Sequence, residues 1–198
     1  MFVKIDKEKE MPVTREGASC SPRPQRDGCD PNGGGAQAYM KLADAANSEK
    51  AFRKSIEVSQ ERYSFAYIGL AELFLKAGRF ADAAPLARKA IEIDAKSWQA
   101  QSELARALLG LQRYSEAEPS AVAAVALQPD NETLYLILAN VHIRLQNQPA
   151  LLDDLNHYLK IAPTGPFAEQ ARLQRDKVQE DLAASQRQPP ATSPATQP

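Results

Sequence analysis

The chain has 198 residues, of which 43% are hydrophobic and 25% are charged. This length fits one domain with a substantial core and flanking segments. The formal net charge of −1 gives no long-range attraction to nucleic acid, and no apolar run approaches the roughly 20 residues that cross a membrane. Two Cys and two His are too few for a disulfide-dense scaffold and make a poor inventory of metal ligands.

The two ends of the chain have compositions that cannot contribute to a core. Residues 1–35 contain turn sequences such as Ser21–Pro24 and Asp30–Gly35, and they show no helical or strand period. Residues 185–198 contain no apolar residue larger than Ala. We therefore predict a disordered N-terminal arm over 1–35 and a disordered Pro-rich tail over 185–198.

The middle of the chain, residues 36–184, is rich in Ala and Leu, and its apolar residues recur at spacings of three and four. Strand-like alternation is missing from this pattern, which is typical of amphipathic helices joined by short turns. The sequence therefore predicts an all-α domain over 36–184.

A shift of 34 residues superposes this domain on itself. Three Leu coincide, each is followed by a coinciding Ala, and a Pro pair is matched as well: Leu70, Leu104 and Leu138, then Ala71, Ala105 and Ala139, then Pro85 and Pro119. The period predicts repeats over 64–97, 98–131 and 132–165. A partial unit over 36–63 precedes them, and a polar-backed capping helix over 166–184 follows them.

Each repeat has the pattern of a helical hairpin. In the second, a helix over 98–109 leads to a turn at Gly110–Arg113, and a second helix runs to about Leu127. Ser115 and Glu118 have the spacing of a capping box at the start of that second helix. The small Ala columns allow the helices to approach one another closely.

These units resemble the tetratricopeptide repeat, whose 34-residue hairpin has Leu followed by Gly or Ala, then an aromatic residue, spaced Ala residues and a closing Pro. The third unit departs from the pattern, with His142 in place of an aromatic and with Leu151 and Tyr158 in place of Ala. The resemblance implies an all-α, right-handed α-solenoid with a C-terminal capping helix.

The resemblance also implies a concave groove, formed by the first helix of each hairpin, that binds a peptide. The residues expected to face the groove are Phe65, Ile68, Glu72, Lys76, Gln99, Ser102, Arg106, Leu136, Asn140 and Arg144. Among them, Asn140 can bond a peptide backbone, while Arg106 and Arg144 can pair with a carboxylate.

One subset of the family grips acidic chaperone tails with Lys, Asn and Arg at set groove positions. Four of those positions hold Ile68, Glu72, Gln99 and Glu103 in this chain. We therefore do not expect binding of that kind.

The remaining polar residues do not form a pattern for catalysis or metal binding. His142 and His157 could meet across the third hairpin, but we expect core or surface roles for both. Cys20 and Cys29 are expected to be free thiols, and Asp153 and Asp154 are expected to lie on a solvated helix face. The sequence predicts no catalytic residue, no metal and no cofactor, and hence a protein that is not an enzyme.

The function that these patterns favour is an interaction scaffold or adaptor with a protein or peptide partner. One alternative is the repeat portion of a larger envelope-associated or regulatory protein. Another is an assembly factor that self-associates through the open N-terminal end of the stack, where Phe52 and Ile56 would be exposed. The expected location is cytoplasmic because no signal peptide is seen, and an exported or envelope location stays open if the start is truncated.

Overall fold

The structure is a computed structural model that describes residues 45–59 and 62–187. Regular secondary structure within these ranges is entirely helical. The helices are α1 (Ala45–Val58), α2 (Ser64–Lys76), α3 (Phe80–Ile93), α4 (Trp98–Gly110), α5 (Tyr114–Leu127), α6 (Glu132–Leu145), α7 (Gln148–Ile161) and α8 (Ala168–Arg187). The predicted arm over 1–35 lies outside the described residues.

The helices stack as antiparallel hairpins in chain order. The three central hairpins are α2 with α3, α4 with α5 and α6 with α7, and the second helix of each also packs against the first helix of the next. In addition, α2 contacts α4 and α4 contacts α6, so the first helices lie side by side along one face. This arrangement is the predicted all-α solenoid, and α8 packs against α7 as the predicted capping helix.

Polar side chains cap three of these helices at their N-termini. Ser97, Asn131 and Asn147 each accept a hydrogen bond from a backbone N–H in the first turn of α4, α6 and α7, which satisfies a donor that the helix leaves free. The predicted capping box in the second repeat is wrong. The helix α5 begins one residue before Ser115, and its N-cap is Arg113, whose side chain makes no capping bond.

The turn inside each hairpin repeats with the 34-residue period. Gly78, Gln112 and Gln146 occupy the same position in the three hairpins, and each has a positive φ, of 72°, 60° and 57°. This left-handed conformation ends the first helix and suits Gly because it has no Cβ. The two Gln residues adopt it against their intrinsic preference.

The first two central hairpins share a core built on small residues. Ala83, Ala87, Ala117 and Ala121 are almost completely buried in it, and their size lets the helices approach closely. Larger side chains from the first helices, such as Leu108, fill the space between them.

The third hairpin and the capping helix form a separate core of larger side chains. Leu151, Leu155 and Tyr158 on α7 are buried in it together with Ala171 and Val178 on α8. The departures of the third repeat from the family pattern therefore change the packing, while the hairpin itself is kept.

Two expectations about the ends of the stack are wrong. Phe52 on α1 is only 1% exposed because its ring packs against Gly69, and Ile56 is partly buried. These two side chains therefore do not provide the exposed apolar flank that was expected of them. At the other end, α8 continues to Arg187, so residues 185–187 belong to the helix; the rest of the predicted tail lies outside the described residues.

Candidate functional site

The face formed by α2, α4 and α6 contains an open cleft with a volume of about 350 Å³. This volume is near the small end of the roughly 300 to 1,000 Å³ of ligand pockets. The residues that line the cleft are Leu75, Phe80, Arg106, Leu109, Gly110, Asn140 and Arg144. The cleft thus combines apolar side chains with two guanidinium groups and one amide.

Three of the ten residues expected to face the groove meet in this cleft. Arg106 comes from α4, and Asn140 and Arg144 come from consecutive turns of α6. The Nδ2 of Asn140 donates a hydrogen bond of 2.9 Å to the carbonyl oxygen of Leu136. That bond fixes the amide and leaves its oxygen and one N–H for a ligand.

The other seven predicted residues do not line the cleft. Phe65 is 51% exposed, while Glu72, Gln99 and Leu136 are partly exposed. Lys76 forms an ion pair of 2.8 Å with Glu72. Ile68 and Ser102 are buried, so their side chains do not offer the accessible groove surface that was expected of them.

Arg106 is held by a buried carboxylate on its own helix. Its Nη1 lies 3.1 Å and 3.0 Å from the two carboxylate oxygens of Glu103, whose side chain is 11% exposed. Burial raises the pKa of Glu103 to about 7 from an ordinary value of 4.5; Arg106 opposes this increase, and the Glu72 carboxylate adds to it. Much of the charge of Arg106 is therefore engaged within the protein above neutral pH.

Arg144 differs from Arg106 because it is exposed and has no such partner. Among the described residues, no carboxylate is within ion-pair distance of its guanidinium. It is the cleft's available positive charge, and a guanidinium can bind a carboxylate through two parallel hydrogen bonds.

Sequence reasoning missed four of the residues that line the cleft: Leu75, Phe80, Leu109 and Gly110. One signal for Gly110 was present in the repeat alignment. It stands 34 residues after Lys76 and 34 before Arg144, so the second hairpin lacks a side chain where the first and third have long cations. The role of Phe80 was hidden because it begins a second helix, whereas the groove was expected to be formed by first helices only.

A second polar cluster lies away from the cleft, inside the third hairpin. His142 is 5% exposed, with Nδ1 2.5 Å from an Asp154 carboxylate oxygen and Nε2 3.3 Å from an oxygen of Glu118. Burial raises the pKa of Asp154 to about 6 from 3.8, although the hydrogen bond from His142 opposes the increase. The imidazole therefore links α6 to α7 within the hairpin and to α5 of the preceding one.

This cluster corrects the expectation for the two adjacent aspartates. Asp153 is exposed, whereas Asp154 is buried and bonded to His142, so the pair does not form a solvated face. His157 does not share this cluster; its ring stacks on Tyr135 with centroids 5.3 Å apart, and its Nδ1 lies 2.8 Å from the Asp153 carbonyl oxygen.

Two further features were searched for within residues 45–59 and 62–187. Groups of His, Cys, Asp and Glu that could hold a metal ion are missing from these residues, and Cys20 and Cys29 lie outside them. In the same part of the chain, none of the helices combines the length and the apolar character needed to cross a membrane.

Three family models of the tetratricopeptide repeat match the chain, at residues 36–62, 74–119 and 102–166. Together they cover more than half of the sequence, and they include the partial unit ahead of the three full hairpins. The chain belongs to the tetratricopeptide repeat family. Comparison with curated protein sequences gave no significant match.

Solved structures of the same fold are similar over most of their own length. MamA (residues 41 to the end) from Desulfovibrio magneticus RS-1 has 14% identity and a TM-score of 0.64, covering 82% of this chain and 99% of that one. YrrB, described as a tetratricopeptide repeat protein with an unusual peptide-binding site, has 16% identity and a TM-score of 0.62, with 74% and 76% covered.

A third structure holds a peptide. It is the first repeat domain of Spaghetti (RPAP3) bound to the HSP90 peptide SRMEEVD, with 20% identity and a TM-score of 0.55, covering 61% of this chain and 95% of that one. At these identities the likeness establishes the fold alone.

Proposed function

We propose that the protein is a non-enzymatic scaffold that binds a segment of a partner protein along the face formed by α2, α4 and α6. The observation that carries the proposal is the cleft in which Arg106, Asn140 and Arg144 surround apolar side chains. Such a surface binds a peptide by covering its apolar groups while the amide and guanidinium groups bond its polar ones.

The comparisons support this proposal at the level of the family. YrrB and the Spaghetti domain are described with a peptide-binding site and a bound peptide. In this chain the peptide would be held at the residues of its own cleft, because Glu72 and Glu103 stand where the chaperone-tail subset has cations or amides.

The test uses affinity capture from the source cell's lysate, with the full chain, an Arg144→Glu variant and a Lys177→Glu variant as baits. Arg144→Glu reverses the available charge of the cleft. Lys177→Glu makes the same charge change on the exposed surface of α8, which packs against α7 and not against the cleft helices. Arg106 is less suitable because its removal would leave Glu103 buried without its ion pair.

We expect a partner that is retained by the wild type and by Lys177→Glu but lost by Arg144→Glu, with all three baits equally helical by circular dichroism. A partner retained equally by all three would place the binding surface elsewhere. A sedimentation mass that shows a dimer disrupted by Arg144→Glu would instead favour self-association through this face.

A further inference from the structure

The imidazole of His142 connects two hairpins as well as the two helices of its own hairpin. Its Nδ1 lies 2.5 Å from an oxygen of Asp154 on α7, and its Nε2 lies 3.3 Å from an oxygen of Glu118 on α5. The ring and the Asp154 side chain are buried, whereas 39% of the Glu118 side chain is exposed. Of the two contacts, the one between Glu118 and His142 therefore joins the third hairpin to the second and lies closer to solvent; we call it the inter-hairpin contact.

The inter-hairpin contact lies where the two cores of the molecule meet. Helix α6 contributes Leu138 and Val141 to the core of the first two hairpins, and Tyr135 and Ala139 to the core that includes α7 and α8. In a stack of repeats each unit is held by its neighbours, so a terminal unit opens separately when the interface behind it is weakened. A polar contact at this place therefore affects how tightly the third hairpin and α8 are held to the rest of the stack.

Both contacts of the ring are hydrogen bonds only when each of them contains a proton. A ring nitrogen without its hydrogen and a carboxylate oxygen offer only lone pairs, so the two contacts need two protons shared among His142, Asp154 and Glu118. When one of these protons is lost, the other stays in the shorter contact with Asp154, because a buried carboxylate without a partner costs more than an exposed one. Glu118 then turns to water, and the link between the hairpins is lost.

The other charged groups on α4 and α5 do not take part in this contact. Helix α6 packs against α4, α5 and α7. On α4, Glu103 pairs with Arg106, and on α5, Glu116 pairs with Arg113. Apart from Glu118, these two helices contain no further charged residue.

The charged groups of α7 act on the cluster through Asp154. Burial raises the pKa of Asp154 to about 6, and Asp153 adds to the increase, while His142 and His157 oppose it. Both Asp153 and His157 are exposed. The remaining charged residues of α6 and α7 are exposed as well: Glu132, Arg144 and Lys160.

We propose that the inter-hairpin contact is a proton-dependent joint, which holds the third hairpin and α8 to the second hairpin at acidic pH and releases them as the pH rises. The sign follows because the closed joint binds the second shared proton more tightly than the open one. Histidine ordinarily changes its charge between pH 5 and 8, which sets the range. The inference goes beyond the proposed function and does not depend on it. Residues from both sides of the joint line the cleft, Arg106 on α4 and Asn140 and Arg144 on α6.

The experiment measures hydrogen–deuterium exchange of the full chain by mass spectrometry at about pH 5 and pH 8.5, after correction for the intrinsic effect of pH on exchange. The readout is the opening equilibrium of the α7 and α8 amides relative to that of the α2 and α3 amides. This ratio removes any pH effect that the whole protein shares. The baits of the comparison are the wild type, Glu118→Gln, Glu118→Ala and Glu116→Gln, all checked for equal helicity by circular dichroism.

We expect the ratio to increase with pH in the wild type, by about fivefold more than in Glu118→Gln. A hydrogen bond with a charged partner changes an equilibrium by about tenfold or more, and the effect is smaller here because the contact is long and partly exposed. Glu118→Gln removes this part of the increase because an amide both donates and accepts, and so bonds the ring with or without its proton. Glu118→Ala makes no bond at either pH and should already show about fivefold more opening than the wild type at pH 5.

Glu116→Gln is the matched control, since it makes the same substitution two residues away on α5 at a carboxylate that pairs with Arg113. It should keep the increase of the wild type. Three results would each overturn the inference: an increase in Glu118→Gln equal to that of the wild type, a loss of the increase in Glu116→Gln as well, or a wild-type ratio that does not change with pH. The titration of Asp154 does not confuse the result, because Asp154 is present in all four proteins.

Discussion

The second hairpin (α4 and α5) and the third (α6 and α7) follow the same 34-residue period, but they bury different chemistry between their helices. In the second, Ala117, Ala121 and Ala124 are almost completely buried, so the helices meet through small side chains. In the third, the corresponding places hold Leu151, Leu155 and Tyr158. The same hairpin arrangement therefore accommodates either helices that approach closely through Ala side chains or helices separated by larger, interlocking side chains. In both cases the side chains must fill the volume between the helices.

The polar groups of the two hairpins differ in the same way. The second hairpin buries Glu103 beside Arg106, and Arg106 lines the cleft. The third buries Asp154 beside His142 in its interior, where the pair holds helices together. The buried ion pair of the second hairpin therefore adjoins the cleft, whereas that of the third is enclosed between helices.

The largest expected effect comes from removing the large side chain that distinguishes the third hairpin. Tyr158 is 1% exposed, and Tyr158→Ala should lower the free energy of unfolding by about 3 to 5 kcal/mol because it leaves a cavity. Thermal and urea unfolding measure the change. Tyr158→Phe is the control and should cost only about 1 kcal/mol, from the hydroxyl that accepts the Phe167 N–H. A loss below 1 kcal/mol for Tyr158→Ala would mean that the third hairpin can pack like the second.

Next in size is the buried His142–Asp154 pair. Asp154→Ala should destabilise the protein by about 3 kcal/mol, because it leaves the imidazole buried without its main partner. The double variant His142→Phe/Asp154→Leu replaces both groups with apolar ones and should recover most of the loss, measured by urea unfolding at pH 7. If the double variant is destabilised as much as Asp154→Ala, the pair stabilises the folded protein by more than the free-energy cost of burying its two polar groups.

A smaller effect, with a defined pH window, is expected for Glu103. Its pKa in the folded protein is about 7, above the ordinary 4.5, so the folded state binds its proton more tightly than the unfolded state. The resulting stabilisation is complete below pH 4.5 and is lost as the pH rises through about 7. Glu103→Gln should remove this loss, making the stability difference between pH 5 and pH 8 smaller by about 1 to 3 kcal/mol.

The control for that measurement is Glu92→Gln, which makes the same substitution at a side chain that is 67% exposed. Asp154 adds a change of the same sign between about pH 4 and 6, because burial raises its pKa to about 6. Comparison of Glu103→Gln with the double variant at His142 and Asp154 therefore separates the pH dependence of the second hairpin from that of the third.

The smallest effect concerns the turns, in which the two hairpins are alike. Gln112 and Gln146 both have a positive φ, which costs a residue with a Cβ about 1 to 2 kcal/mol. Replacing either with Gly should stabilise the protein by up to about 1 kcal/mol. This gain is smaller than the relieved strain because Gly loses more conformational entropy on folding. Thermal unfolding of both variants measures this gain. Gly78→Ala should instead lower the stability, because Gly78 has a φ of 72°.

The sequence alone determined the repeat, because a 34-residue period in Leu, Ala and Pro reflects helix packing that must recur in every hairpin. The family resemblance that follows from this repeat predicted that Arg106, Asn140 and Arg144 face the groove, and all three line the cleft; their role in binding stays a prediction. The capping box at Ser115 was misjudged because the N-cap of helix α5 is Arg113, two residues before the position that the local pattern indicates.

Only the tertiary structure decided what surrounds those residues. Phe80 reaches the cleft because Gly110, on the next hairpin, has no side chain to exclude its ring, and no spacing rule connects the two. The burial of Asp154 likewise depends on His142 and Glu118 from other helices. Periodicity determines which face of a helix a residue occupies, whereas the space and charge opposite that face are set by residues distant in the chain.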